Sequence, residues 1–247
     1  MKFEILHFSL LASTNNHLFD IVSKQRTVEG LVITTDFQTD GKGLGTNKWE
    51  SQQGKNLNFS LLLSPEFLKP EQQFAITQII SLSIINVCNR KLNNENVCIK
   101  WPNDIYVGNK KLAGVLVQNV IKGNSISDSV VGIGLNVNQK KFISDAPNPV
   151  SLIQLTNQEI DLKNLLKEIL EEINEIYSRL RVFPDTKWLE NKYLKNMYRF
   201  NQLNYFTDKN GKFEGKIIGI DKYGQLKIKK TDEQTVVYAY KEVEFNI

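Results

Sequence analysis

The segment KWPNDIYVGNKKLAGVLVQN, residues 100–119, confines this chain more tightly than any other stretch. Pro102 fixes its own φ and pushes Trp101 toward extended backbone, so no helix is expected to run through this point. A short apolar run follows, then a Gly-Asn pair with two lysines, then a second apolar run. VCIKW, IYVG and LAGVLVQNVI therefore read as strands, with residues 108–111 as a hairpin turn. Lysines and a carboxylate beside an apolar sheet are costly unless they are paired or bind something. The corner presents Asn103 and Asp104 at a strand start. Asp104 has two readings: it caps a turn, or it holds Mg²⁺ or orients a ligand hydroxyl. Gly114 inside a strand signals close approach by another backbone or a ligand. A lysine at 111 aimed over that gap would stabilise a phosphoryl transition state. A merely solvated hairpin lysine suits Lys110 better.

The rest of the chain supplies partners for these strands. Residues 3–8 read as a strand, and Ser13, Thr14 and Asn15 as the start of a helix reaching Lys24. Residues 30–38 and 57–64 read as strands, the second buried throughout. Pro70 suits the first turn of a helix ending near Leu92. Residues 129–138, SVVGIGLNVN, make a further strand. Between 161 and 180, apolar side chains from Leu162 to Leu180 recur at helical spacing along one face. The opposite Glu- and Lys-rich face reads as solvated surface. A shorter helix is expected over 185–197. From about Phe200 the pattern becomes short strands joined by Gly, Asp and Asn turns, the signature of a small all-β module. The resulting fold class is α+β: a mixed sheet flanked by helices over 1–198, then a small barrel over 199–247.

Length and composition set the outer limits. A chain of 247 residues suits one large domain, or a larger one with a small one. The net charge of +4, from 31 basic and 27 acidic residues, is too mild to be a nucleic-acid footprint by itself. Glu4 and His7 interrupt the N-terminal apolar run, which argues against a signal peptide. The longest apolar run, residues 74–88, is too short to span a bilayer. Cys88 and Cys98 read as reduced core thiols, and the expected location is the cytoplasm. His7 and His17 stand alone, with no zinc set or catalytic triad around them.

Two further stretches carry chemistry. QTDGKGLGTNKW places Gly41, Gly43 and Gly45 around Lys42, with Lys48 nearby. Glycines let backbone N–H groups turn toward an anion and let a phosphate come close. The competing reading, a flexible surface loop, is equally compatible with the loop alone. Neither a Walker A loop nor a Rossmann fingerprint is present. Trp49 is either a core anchor or a stacking surface for a ring, and the adjoining loop favours the second. Gly132 and Gly134 in GIGLNVN are either packing residues or a strand floor beneath a flat ligand, with Asn136 reading its edge.

Taken in order, STN, FQTDGKG, KWES…GKNLNFSLLL, KWPNDIYV, KKLAGVLVQ and GIGLNVN resemble the biotin protein ligases over most of residues 1–140. The pairing of KWPND with KLAG is the most specific element, and the last fifty or so residues resemble that family's SH3-like barrel. The resemblance implies a class II synthetase-like catalytic fold that joins biotin and ATP, with Mg²⁺, into biotinyl-5′-AMP. Biotin then passes to a lysine of a biotin carboxyl carrier domain, typically of acetyl-CoA carboxylase. It implies catalytic roles for Lys111 and Lys42. Biotin contacts would come from Ser13, Thr14, Asn15, Gln38, Gly41, Lys42, Gly43, Leu44, Lys111, Gly114, Gly132 and Gly134. Nucleotide contacts would come from Trp49, Asn103, Asp104, Lys111 and Asn136, and Asp104 would be the metal ligand. The family's loop often reads Gly-Arg-Gly-Arg. Here Lys42 and Leu44 replace the arginines, which removes a bidentate fork and bears on how firmly the adenylate is retained. No DNA-binding helix-turn-helix is expected before the first strand, so DNA is not an expected partner, and the short longest apolar run makes a membrane no expected partner either. An exposed sheet edge leaves a homodimer and a carrier complex both open. A lipoate–protein ligase is the nearest alternative, and a non-catalytic binding module is the alternative from another class. An octanoyltransferase would need a nucleophilic cysteine, which neither Cys88 nor Cys98 is placed to supply.

Overall fold

The computed structural model of the protein describes residues 1–93, 97–143 and 148–246. Seven strands form one sheet: β1 (Glu4–Leu11), β2 (Leu31–Gln38), β3 (Leu57–Leu63), β4 (Val97–Lys100), β5 (Asp104–Val107), β6 (Lys110–Lys122) and β7 (Ser125–Leu135). Their spatial order is β1-β2-β3-β7-β6-β5-β4, and only β1 and β2 run parallel. Between them lies α1 (Thr14–Lys24), whose N-cap is Ser13. After β3 come a 3₁₀ turn (Pro70–Gln72) and α2 (Phe74–Lys91). The sequence reading joined these into one helix from Pro70. Further on lie α3 (Leu152–Thr156), α4 (Leu162–Val182) and α5 (Lys187–Lys195), the last shorter than expected.

Period-two alternation gives each sheet face its own core. On β2 and β3, Val32, Phe59, Leu61 and Leu63 face the main core, which includes Ile76, Ile79 and Ile80 of α2 and Leu165, Ile169 and Ile173 of α4. Leu31, Ile33 and Leu62 face the other way and pack with Leu18 of α1. The same parity puts Asn58 and Ser60 on the α1 face. The anticipated stripe on α4 is buried from Leu165 to Leu180, with Leu162 half-buried at the start.

A second, five-stranded antiparallel sheet follows: β8 (Leu203–Asp208), β9 (Gly211–Ile220), β10 (Leu226–Lys230), β11 (Thr235–Tyr238) and β12 (Val243–Phe245), ordered β11-β10-β9-β8-β12. It is seated firmly on the first layer. The Trp101 indole N–H donates to the Gly224 carbonyl at 2.8 Å. Gly224 also lies flat on Phe74, where an added Cβ would fall 2.8 Å from that residue's own Cβ. Both cysteines are free, Cys88 fully buried and Cys98 partly so. No helix among the described residues is long and apolar enough to cross a membrane.

Candidate active site

Register pairing builds the site. Across β3, β7, β6 and β5, Asn58 pairs with Gly134, Gly134 with Gly114, and Gly114 with Asp104. One row over, Ser60 pairs with Gly132. The result is a flat floor on the α1 face of the sheet, with polar side chains at its edges. The floor carries a ring: a Cβ at Gly134 would lie 2.6 Å from Trp49 Cζ2, and one at Gly114 would lie 3.4 Å from Trp49 Cζ3. The space above these glycines is taken by the Trp49 indole and the Asn15 amide, so in this structure they serve side-chain packing. A Cβ at Gly132 would come within 3.0 Å of Asn15 Oδ1.

Lys111 reaches this floor through a bulge. The expected turn over residues 108–111 is shorter: Gly108 alone takes the left-handed backbone, at φ +56°, and Lys110 and Lys111 pair within β6 with Val107 and Tyr106. The ladder then slips between Ile105 and Tyr106, so Lys111 and Leu112 together oppose one step of β5. A bulge re-aims side chains. Here it carries Lys111 Nζ to 2.7 Å from Asp104 Oδ1, and 5.8 Å from the Trp49 ring centroid. Both members of the ion pair are about three-quarters buried, with side-chain exposures of 26% and 22%. Asn103, at the corner, donates to the Val115 carbonyl at 2.5 Å and so ties the corner to β6.

The N-terminus of α1 closes one end. Gln38 Oε1 accepts from the Thr14 N–H at 2.9 Å and from its hydroxyl at 3.2 Å, while Ser60 donates to Thr14 Oγ1 at 2.9 Å. Asn15 donates to Gln118 Oε1 at 2.8 Å. Its own Oδ1 is buried with no donor in reach among the described residues, and so is Oδ1 of Asn136, whose amide N–H donates to Val150 O at 3.1 Å. Buried acceptors without partners are rare enough to require an explanation. The one at Asn15, set against Gly132 of the glycine floor, points to a ligand carrying an N–H group.

The glycine-rich segment is itself a small hairpin. Lys42 and Lys48 form a bridge, the Gly43 N–H donates to Asn47 O at 2.8 Å, and the Trp49 N–H to Gly41 O at 2.9 Å. Lys42 Nζ pairs with Asp40 at 2.6 Å, which holds the Asp40 carboxyl below its ordinary range. A cavity of about 520 Å³ lies beside the hairpin base, lined by Gln38, Gly41, Lys48, Trp49, Gln52 and Gln139 among others. Lys111 and Asp104 do not line it; Trp49 connects it to the floor. A second cavity, of about 230 Å³, lies between the Trp101–Pro102 corner and the second sheet, and its lining includes Leu44, Asn103 and Tyr240.

Sequence reading missed the polar layer that holds Trp49. Its indole N–H donates to Asn58 Oδ1 at 3.0 Å, and Asn58 donates to Ser51 at 2.7 Å. Asn56 donates to Gln139 Oε1 at 2.5 Å, and Gln139 Oε1 also accepts the Gln52 N–H at 2.9 Å. The available signal was three polar residues, Asn56, Asn58 and Ser60, alternating through an otherwise apolar run, NLNFSLLL.

The model of the Biotin/lipoate A/B protein ligase family matches residues 8–136. The bifunctional ligase/repressor BirA of Bacillus subtilis is 26% identical over 245 residues, covering 95% of this chain and 72% of that protein. Its Escherichia coli counterpart is 30% identical over 175 residues, 70% of this chain and 52% of that protein. Among solved structures, a biotin protein ligase from Aquifex aeolicus in complex with biotin and ATP superposes with a TM-score of 0.80 at 25% identity, covering 98% of both chains. The chain belongs to the biotin/lipoate A/B protein ligase family. It is an enzyme of the ligase class, of the biotin protein ligase type.

Proposed function

We propose that the protein activates biotin with ATP as biotinyl-5′-AMP. It then transfers biotin to one lysine of a biotin carboxyl carrier domain, that of acetyl-CoA carboxylase or a related carboxylase. In the first step the biotin carboxylate attacks the α-phosphorus and pyrophosphate leaves. In the second the acceptor amine attacks the acyl carbon and AMP leaves.

The observation that carries this reading is the Lys111–Asp104 pair at the edge of a glycine floor. Attack of a carboxylate on a phosphate brings two anions together, so a fixed cation at the transferring group is the main requirement. Lys111 is held by its bulge and by Asp104 to serve there. Asn15 Oδ1, buried without a donor beside Thr14 and Gln38, would accept a ureido N–H of biotin. Asn136 Oδ1 would accept from the nucleotide in the same way. Trp49 would pack on the ligand's rings, and Gly41, Lys42, Gly43 and Leu44 would cover the adenylate and exclude water from the reactive anhydride.

Among the described residues no group of three His, Cys, Asp or Glu side chains converges on a common point. That fits Mg²⁺ carried mainly by substrate phosphates and steadied by one carboxylate. Asp104 would be that carboxylate, and the ion would supply neutralisation of phosphate charge.

The test is mass spectrometry of a carrier domain incubated with the protein, ATP and Mg²⁺, with biotin or lipoate. A biotinyl adduct on one lysine supports the reading. A lipoyl adduct alone moves the chain to the sister activity, and no adduct overturns it.

A further inference from the structure

The small barrel meets the glycine-rich hairpin at its tip. Asn47 Nδ2 donates to the Tyr240 hydroxyl at 3.3 Å, and that hydroxyl lies 3.5 Å from the Leu44 carbonyl. Lys241 Nζ lies 3.5 Å from Thr46 Oγ1. Gly45, at φ +67°, is flat against the same pair, and a Cβ there would sit 3.3 Å from Lys241 Nζ. Leu44 and Tyr240 both line the second cavity.

The barrel side of this contact is built rigidly. The Glu242 N–H donates to the Ala239 carbonyl at 3.1 Å, and the Ala239 N–H to the Glu242 carboxylate at 2.7 Å. Tyr240 and Lys241 are the two central residues of that closed turn, and Lys241 takes a left-handed φ of +70°. A lysine in that conformation is strained, and such strain is kept only where the surroundings over-determine it. The barrel in turn is tied to the first layer where Gly224 packs on Phe74 and accepts from the Trp101 indole. The hairpin, by contrast, has glycines at 41, 43 and 45. Its cross-links run from tip to base, through the Gly43–Asn47 and Gly41–Trp49 hydrogen bonds, so the position of the tip sets the position of Lys42 and Trp49.

We infer that Tyr240 and Lys241 are positioning residues for the ligase reaction, docking the hairpin tip so that the hairpin stays closed over the activated acyl group. Leu44 takes part through its backbone carbonyl, which faces the Tyr240 hydroxyl. The second half of the inference rests on the proposed acyl-adenylate chemistry; the docking itself does not.

Two measurements separate them. Trypsin cleavage after Lys42 and Lys48 in the ligand-free protein reads the docking alone. Cleavage should accelerate about tenfold in Tyr240→Ala and several-fold in Lys241→Gly, the latter keeping the left-handed turn, as expected for loss of two weak contacts and of one. Tyr240→Phe, which retains the ring beside Leu44, should fall between these and wild type. Unchanged cleavage in all of them overturns the docking. With biotin, ATP, Mg²⁺ and a carrier domain, the ratio of biotin released by hydrolysis to biotin transferred should rise in the same order. Partial unfolding would lower both quantities together and leave the ratio unmoved. An unchanged ratio in variants whose cleavage has accelerated overturns the positioning role. If wild-type protein neither hydrolyses ATP with biotin nor transfers it, the adenylation reading has failed, and the cleavage rates still decide the docking.

Discussion

Lys111 Nζ and Asp104 Oδ1 stand 2.7 Å apart across a bulge in the β5–β6 ladder, with Gly114 and the Trp49 ring beside them. The pair orients the lysine without withdrawing it wholly from solvent. Replacing Asp104 by Asn keeps the shape and removes the counter-charge. The expected outcome is folded protein whose adenylation falls about tenfold or more, since a single charge-assisted hydrogen bond contributes about 1.5–3 kcal/mol. Steady-state kinetics beside thermal unfolding checks this.

The glycine floor predicts a contrast between neighbours. A methyl at Gly134 would be 2.6–2.7 Å from Trp49 Cζ2 and Nε1, whereas one at Gly114 makes ordinary contacts of 3.4–3.5 Å. Gly134→Ala should destabilise by about 1–3 kcal/mol and displace the indole. Gly114→Ala should fold with little change in stability. Chemical denaturation with tryptophan fluorescence distinguishes the two.

Burial pushes the Cys88 thiol up to about 12 and the Cys98 thiol up to about 11. The thiolate is the reactive form, so both should resist alkylation at pH 8 in the native protein and react fully in denaturant. Ligase activity should be unaffected by native alkylation conditions.

Glu29 joins the β1–β2 region to α4. Burial alone would raise its pKa. Hydrogen bonds from Arg181 at 2.6–2.7 Å, the Ser64 N–H at 2.9 Å and the Tyr177 hydroxyl at 2.7 Å outweigh that and hold it below the ordinary value. A carboxyl whose folded pKa is lowered stabilises the fold above its unfolded pKa, about 4.3, and that contribution is lost as pH falls through the folded value. Glu29→Gln should therefore cost about 1–3 kcal/mol at pH 7, and the gap to wild type should close below about pH 4. Urea unfolding at a series of pH values measures it.

Much of this was readable in the residues. The stripe from Leu165 to Leu180 is local, and a helix needs only its own neighbours to display it. Pro102 and Gly108 likewise announce a corner and a turn without tertiary help. What sequence could not supply was register. That Gly134 lies beside Gly114, and Asn15 against Gly132 and Gln118, depends on pairings between strands far apart in the chain. The bulge that re-aims Lys111 breaks period two, so alternation placed that lysine in a turn. The hairpin from Gly41 to Trp49 has too many glycines for any alternation to show, and its docking onto Tyr240 spans nearly the whole chain.

The most direct test is biotin-dependent exchange of labelled pyrophosphate into ATP, in wild type and Lys111→Ala. The account predicts exchange with biotin, none with lipoate, and a loss of about 10²–10³-fold in the variant, as for removal of one transition-state donor. Absence of exchange from folded protein supplied with Mg²⁺, or exchange undiminished in Lys111→Ala, would contradict it.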